Sequence, residues 1–369
     1  MNINKKKLVI LSVNYEPYMS GAEQMVREIL ERLGEKYATT LLTARFDKKL
    51  PFYEKRAGFE IFRLGLGHKT IDKFLYPVLA AMKARDLRPD IAHAIMESYA
   101  GGALVIIKYL YPKAKRILTL QSGDLDDDRK QNNPLIKLTW KIIHRSPHIV
   151  TAISSFLAQR AERLGVKPEN IFITPNGVDL SGMPVGIAKE KNRVVCVGRL
   201  SWEKSHSHIL EAWPAVIKEF PEAKLVFVGE GPERVRIEKQ IAELNLKASV
   251  ALTGNLPHRL ALEEIARAEV FVCPSRAEGL GNVFIEAQAC STPPIGTRVG
   301  GIPDVIQDQE NGLLIEPKNS DQIATAIIRL LADKELNRKL SAGGRETCRK
   351  FEWKEILEKI DDIYKDVLK

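Results

Sequence analysis

Short, continuous apolar runs alternate with longer helical periods along almost the whole chain, and few folds accept that alternation. In the first half Leu8–Val13, Thr40–Thr43, Ile117–Leu120, Ile149–Ala152 and Ile171–Ile173 read as strands. In the second half Val194–Val197, Leu225–Val228, Val250–Leu252, Val270–Cys273 and Leu313–Ile315 do so. Between them lie amphipathic stretches such as Ala22–Leu33, His208–Phe220 and Arg234–Leu244. Strand–helix alternation calls for parallel sheets joined by crossover helices. Strands that are apolar at every position belong in sheets covered on both faces. The stretch Asp179–Asn192 breaks the pattern, has no clear period, and carries Gly182, Pro184 and Gly186, so it reads as a linker. A chain of 369 residues is long for one core. The pattern therefore predicts an α/β protein of two doubly wound domains, over 1–180 and 193–350, joined by a linker over 181–192. A last helix follows over 351–369, read on Trp353–Leu368.

In open α/β sheets ligands bind beyond the carboxyl ends of the strands. One such end is especially informative: Pro274-Ser275-Arg276-Ala277-Glu278-Gly279-Leu280-Gly281-Asn282-Val283-Phe284-Ile285-Glu286-Ala287. It follows the strand-like run Val270–Cys273 and leads into a helix predicted over Val283–Cys290. A helix N-terminus offers free N–H groups and positive dipole potential, which favour phosphate. Gly279 and Gly281 let a ligand approach the backbone closely. Glu286 lies about one turn into the helix, where side chains lean back toward the N-terminus, so it can accept from hydroxyls beside the phosphates. Glu278, in the loop, can face a second polyhydroxyl group. Phosphate held between two hydroxyl-rich groups describes a nucleotide sugar.

This segment resembles the Glu-x7-Glu motif of the retaining glycosyltransferases of family 4, which have the GT-B fold. Other pieces follow in the family's order. Ser20-Gly21-Ala22-Glu23 resembles its first glycine turn, and Pro175-Asn176-Gly177-Val178-Asp179 the segment closing its first domain. Val197-Gly198-Arg199-Leu200 with Glu203-Lys204 is similar to its donor-phosphate loop. Val228-Gly229-Glu230-Gly231-Pro232 and Gly300-Gly301-Ile302-Pro303-Asp304 are also typical. The likeness runs from Lys7 to about Trp353. It implies two Rossmann-like domains facing across a cleft, with the acceptor on the N-terminal domain and the nucleotide sugar on the C-terminal one. It also implies a final helix that crosses back to the first domain.

The resemblance assigns roles residue by residue. Glu278 would meet the donor sugar and Glu286 the ribose hydroxyls. Arg199 and Lys204 would neutralise the departing diphosphate without metal, helped by backbone around Gly279, Leu280, Gly281 and Asn282. Gly21 and Gly198 would lie near the donor phosphates, and backbone near Gly254 and Asn255 would take the base. Two departures stand out. Ser205 replaces the glycine usual after the lysine, and serine can cap the helix that follows. Gln121, at the end of Ile117–Leu120, stands where many members carry a histidine important for catalysis. Glutamine cannot titrate but can donate and accept hydrogen bonds. His93 and Asp124 are candidates for positioning the acceptor or sugar, although His93 also reads as a strand-end residue with no catalytic role.

Other readings are weighed on the same residues. Paired carboxylates also serve glycoside hydrolases, but those must face one glycosidic bond. The Asp-x-Asp within Asp126–Asp128 reads as a solvated acidic loop. His206-Ser207-His208 lacks the further ligands a zinc site needs, so no metal or cofactor is expected. Cys196, Cys273, Cys290 and Cys348 form no Cys-x-x-Cys pair and read as small buried hydrophobes in a reducing, cytoplasmic compartment. Lys5–Lys7 before Leu8–Val13 reads as the start of a core strand, not a signal peptide. No apolar run approaches the roughly 20 residues that span a bilayer.

Charge is unevenly placed. Residues 1–180 carry 29 Lys+Arg against 19 Asp+Glu, and the remainder 27 against 28. The excess reads either as an anionic partner for the first half (a membrane surface, a lipid-phosphate acceptor or nucleic acid) or as a soluble surface with spare lysines. No recognition-helix or stacking-aromatic pattern points to nucleic acid. Ile71, Phe74, Leu75, Val78, Leu79 and Met82 form a helical apolar stripe beside Lys69 and Lys73. Core packing explains that stripe most cheaply, and a membrane interface is the other reading.

The sequence thus predicts a retaining glycosyltransferase. It would move a hexose from a nucleoside-diphosphate sugar, UDP- or GDP-linked, to a hydroxyl of a glycan or lipid-linked saccharide in polysaccharide biosynthesis. The alternative is a protein of the same fold that binds a nucleotide sugar, or a partner, without turnover.

Overall fold

The strands begin where the apolar runs begin. In a computed structural model describing residues 5–122 and 133–369, Leu8, Ile10 and Leu11 are fully buried at the centre of one parallel sheet. Among the described residues that sheet has eight strands: β1 (Lys7–Leu11), β2 (Ala38–Ala44), β3 (Tyr53–Arg56), β4 (Phe59–Leu64), β5 (Ile91–Ile95), β6 (Lys115–Leu120), β7 (Ile149–Ala152) and β8 (Ile171–Ile173). Their order is β3-β4-β2-β1-β5-β6-β7-β8, parallel throughout except for the antiparallel edge pair β3–β4. A second sheet takes β9 (Arg193–Val197), β10 (Lys224–Val228), β11 (Val250–Gly254), β12 (Val270–Val272), β13 (Pro294–Thr297) and β14 (Leu313–Ile315). Its order is β11-β10-β9-β12-β13-β14, again with parallel neighbours. Both sheets reverse direction next to their first strand, β1 and β9, the arrangement that opens a crevice at the strand ends.

The chain divides into two compact units. One runs up to Gly177 and includes Trp353–Lys369; the other is Val178–Glu352. The residues 181–192 belong to the second unit. Lys189 donates to Thr292 Oγ1 at 2.5 Å, and Glu190 N–H bonds the Arg267 carbonyl at 2.8 Å.

The last helix, Trp353–Leu368, joins the first unit through its polar and aromatic face. Asp361 accepts from Tyr37 at 2.9 Å and from Lys36 at 3.1 Å. Tyr364 is fully buried and bonds His93 Nδ1 at 2.6 Å. Gly177 passes so close to the Trp353 indole that a Cβ there would stand 2.6 Å from it.

The stripe on the helix Lys69–Leu87 does not pack in the core. The face turned to the sheet is Asp72, Tyr76, Ala80, Ala81 and Ala84. Alanines let the helix lie close, Tyr76 donates to the Leu42 carbonyl at 2.8 Å, and Asp72 accepts from the N–H groups of Leu66, Gly67 and His68 at 2.7–2.8 Å. The large apolar side chains therefore point away: Ile71, Phe74, Leu75, Val78 and Met82 are all exposed. The core reading of this stripe is corrected, because small residues, not large ones, met the packing distance.

Candidate active site

The site is assembled where β9, β10 and β12 end. After β9, Gly198 N–H bonds the Val228 carbonyl at 3.0 Å and Leu200 N–H the Glu230 carbonyl at 2.9 Å, so the phosphate-loop candidate is laced to the end of β10. A single 3₁₀ turn, Trp202–Lys204, follows and stops at Ser205, which adopts φ +56°. That left-handed position is what a glycine would fill without strain. The Ser205 hydroxyl does not cap the next helix, His206–Glu219, so the capping expected of it is corrected; it is buried without a hydrogen-bond partner among the described residues.

The loop after β12 is pinned from two sides. Arg276 N–H bonds the Glu203 carbonyl at 2.7 Å, and Gly301 N–H bonds the Glu278 carbonyl at 3.1 Å. Gly300, at φ +54°, lies against that same carbonyl, and a Cβ there would come within 1.9 Å of its oxygen. Gly281, at φ +92°, turns the chain into the helix Asn282–Ala289; any side chain there would collide with the Phe284 ring. Both glycines are thus required by geometry. Leu280 is buried beneath the loop at 1% exposure, which anchors the turn.

These constraints bring Lys204 and Glu278 together. The Lys204 ammonium donates to Glu278 Oε2, and the two side chains are 17% and 18% exposed. Burial works against the Lys204 charge, but the Glu278 carboxylate outweighs it and holds the lysine pKa above its ordinary value. Ser275 Oγ also donates to Glu278, at 3.4 Å. Beneath them Cys273 Sγ lies 3.3 Å from Ser275 Oγ. A hydrogen bond with Cys196 lowers the Cys273 pKa against the effect of burial, with help from the Lys204 ammonium; the Cys196 thiol is raised by the same bond. Arg199 is exposed and makes no ion pair among the described residues, so its guanidinium is open to a ligand.

Glu286, in the helix Asn282–Ala289, pairs with His258 Nε2 at 2.9 Å. His258 opens the helix His258–Arg267, just after Gly254 and Asn255. Gly254 ends β11 with its carbonyl accepting from Gly229 N–H at 2.9 Å, and Asn255 is exposed. His258 escaped the sequence reading because a lone histidine at a helix start is a weak signal. Its one clue was the position immediately beyond the base-binding candidates.

Three site expectations fall in the other unit. Gly21 begins the helix Gly21–Leu33, and the preceding Ser20 hydroxyl donates to the buried Glu23 instead of capping the helix. Gln121 is held by a reciprocal amide pair with Asn176, 3.0 Å in each direction, and its Nε2 also lies 3.1 Å from Met25 Sδ. Its N–H donates to Glu97 at 3.3 Å, and Glu97 forms a buried ion pair with Arg160. Burial raises the Glu97 pKa, with Arg160 opposing. Nothing in the sequence marked Glu97 and Arg160 as neighbours of Gln121. His93 is not presented to any ligand: it is 1% exposed in β5, bonded to Tyr364 and, at 2.6 Å, to Thr119. Burial pushes its pKa down to about 3, so it stays neutral. The expectation that it positions acceptor or sugar is corrected to a structural role. Asp124 and Asp126–Asp128 lie outside the described residues. Among the described residues no group of three His, Cys, Asp or Glu is placed to hold a metal ion, and no helix is long and apolar enough to cross a membrane.

Comparison with known proteins matches two family signatures. "Glycosyltransferase Family 4" covers residues 19–181, and "Glycosyl transferases group 1" covers residues 183–347. The chain is 30% identical to N-acetyl-alpha-D-glucosaminyl L-malate synthase of Bacillus anthracis, over 97% of both chains. It is 31% identical to a sulfoquinovosyl transferase of Arabidopsis thaliana, over 97% of this chain and 73% of that one. In fold it is similar to the sucrose-phosphate synthase of Thermosynechococcus elongatus, with a TM-score of 0.85 at 23% identity over 98% and 99% of the two chains. It is also similar to Anabaena HepE solved with UDP and glucose, with a TM-score of 0.80 at 18% identity over 98% and 100%.

Proposed function

Because the chain belongs to glycosyltransferase family 4, with two Rossmann-like domains of the GT-B type, we propose that it transfers a hexose from a nucleoside-diphosphate sugar to an acceptor hydroxyl with retention at the anomeric carbon. The observation that carries this reading is the Lys204–Glu278 pair, set at the mouth of a helix that bears Glu286 one turn inside. Val178–Glu352 takes the donor in this proposal, and the unit containing Gln121 supplies the acceptor side.

Each group has a chemical task. Arg199, Lys204 and the backbone N–H groups from Gly279 to Asn282 stabilise the diphosphate as negative charge grows on it. Glu278 accepts from sugar hydroxyls and Glu286 from the ribose. The acceptor oxygen forms its bond to the anomeric carbon on the face the diphosphate leaves. The C1–O(phosphate) bond breaks, and the acceptor proton passes to the departing phosphate oxygen. No side-chain nucleophile is needed, which suits a strand end carrying Gln121. Gln121, with Asn176, then orients polar groups and moves no proton. Charge neutralisation comes from Arg199 and Lys204, without a metal.

The acceptor in this proposal is a glycan or a lipid-linked saccharide, and the enzyme works in the cytoplasm or at the inner face of a membrane. The sulfoquinovosyl transferase and HepE with UDP and glucose support the donor class by their names alone. The test is a metal-free thermal-shift panel of UDP, GDP and their sugars on wild type and Glu286→Ala. A rise with one base, lost in the variant, is expected; no rise with any nucleotide rejects the donor site.

A further inference from the structure

The three helices Lys69–Leu87, Tyr99–Leu110 and Pro134–His144 lie side by side in one layer. Phe74 meets Tyr99 edge to face, a Cβ at Gly102 would stand 3.7 Å from the Pro77 ring, and one at Gly101 would reach Ile143. Two of them carry large apolar side chains on their solvent side. On the first these are Ile71, Phe74, Leu75, Val78 and Met82, at i, i+3, i+4, i+7 and i+11, with Phe74 67% exposed. On the third they are Leu135, Leu138 and Ile142, at i, i+3 and i+7, with Leu135 73% exposed. Such stripes on adjacent helices far exceed scattered surface leucines and mark an interaction face.

The charge on this layer names the partner. The helices Lys69–Leu87, Tyr99–Leu110 and Pro134–His144 carry two carboxylates, Asp72 and Asp86. Asp72 is fully buried and committed to three backbone N–H groups, and Asp86, exposed in the last turn of its helix, pairs with Arg85 at 3.3 Å. The same segments expose or half-expose Lys69, Lys73, Lys83, Lys108, Lys137 and Lys141. A face of protruding apolar side chains ringed by cations, its exposed carboxylate Asp86 lying at a helix end and paired with Arg85, is complementary to an anionic lipid surface. Apolar groups enter the headgroup–acyl boundary and lysines meet the phosphates. A protein partner or second copy of the chain would gain from mixed charge at the rim; this layer is predominantly cationic.

We propose that these helices dock the enzyme on an anionic bilayer, with Phe74, Val78 and Leu135 inserted and the lysines at headgroup level. One consequence rests on the transfer reading: the acceptor hydroxyl is presented on a lipid. The docking itself is tested independently of catalysis.

The full-length protein is sedimented with vesicles of phosphatidylcholine alone and of phosphatidylcholine mixed with phosphatidylglycerol, at low and high salt. Wild type is expected to pellet with the mixed vesicles, roughly tenfold better than with the neutral ones, and less at high salt. Phe74→Ser with Val78→Ser, and separately Lys69→Glu with Lys73→Glu, should each lower that binding roughly tenfold while circular dichroism and melting stay as in wild type. If wild type ignores anionic vesicles, or binds both kinds equally, the proposal is overturned. It is equally overturned if the protein instead self-associates in solution and the serine pair abolishes that association, which would make the face a contact between copies. Because donor binding is not read, failure here leaves the glycosyl-transfer reading untouched.

Discussion

The Lys204 ammonium and the Glu278 carboxylate, 74 residues apart in sequence, are each other's counter-charge. In the proposed reaction a donor diphosphate draws Lys204 away from Glu278, and the freed carboxylate becomes available to the sugar. The ion pair holds both groups ready in the ligand-free protein.

Glu278→Gln removes the competitor for Lys204. It is expected to bind the free nucleoside diphosphate roughly tenfold tighter than wild type, about 1.4 kcal/mol, while transfer falls by about 10²-fold or more. Lys204→Ala should lose both binding and transfer. Calorimetric titration beside a turnover assay reads the two together. Equal affinity in wild type and Glu278→Gln would show that the pair does not gate the phosphate.

Glu286 is held by His258 at 2.9 Å, on the helix whose N-terminus takes the phosphates in the proposed function. At about 100 times Kd the cognate nucleotide should stabilise wild type by about 2.7 kcal/mol. Glu286→Ala should cancel that gain, and His258→Ala should keep part of it, because histidine only orients the carboxylate. A full thermal shift in Glu286→Ala refutes its contact with the ribose.

His93 and Tyr364 tie the last helix to β5 at 2.6 Å. Tyr364→Phe leaves a buried ring nitrogen without a partner and should cost about 1–3 kcal/mol in urea denaturation. Turnover per folded molecule should stay unchanged. Lost turnover without lost stability would restore His93 as a candidate for positioning the acceptor or sugar.

Acid should destabilise the protein through buried neutral histidines. Burial pushes His93 down to about 3 and His144 and His206 to about 4. Unfolded histidines take up protons near 6.5, so between about pH 6.5 and 4 the unfolded chain binds more protons and stability falls as pH falls. Each of the three adds roughly 1.4 kcal/mol per pH unit well inside that window. Among the described residues His206 has no hydrogen-bond partner on either ring nitrogen, and it packs edge-on to Phe227. His206→Phe should therefore be neutral or stabilising at pH 7 and should reduce the slope. Urea midpoints at pH 7 and pH 5 check both points, and a flat profile refutes them.

Much of this was legible in the sequence because it depends on local order. Continuous apolar runs place β1, β2, β6 to β12 and β14 to within a few residues, since a strand covered on both faces must be apolar at each position. The runs named in the sequence leave out four strands: the polar edge strand Tyr53–Arg56, its alternating neighbour Phe59–Leu64, Ile91–Ile95 with His93 at its middle, and the proline-led Pro294–Thr297. Glu278, Gly281 and Glu286 were readable because the donor motif is contiguous: strand end, turn and first helical turn together make the site.

The sequence by itself determined the two α/β units and the segment around Glu278, because periodicity and turn chemistry act between near neighbours. Tertiary structure decided what joins distant residues: Lys204 to Glu278, His258 to Glu286, Gln121 to Asn176, and His93 to Tyr364 instead of to a ligand. It also decided which side of the Lys69–Leu87 helix faces inward. Periodicity shows that a helix has an apolar face, but the distance to the sheet selects the side that fits, and there alanines fit where phenylalanine and methionine do not.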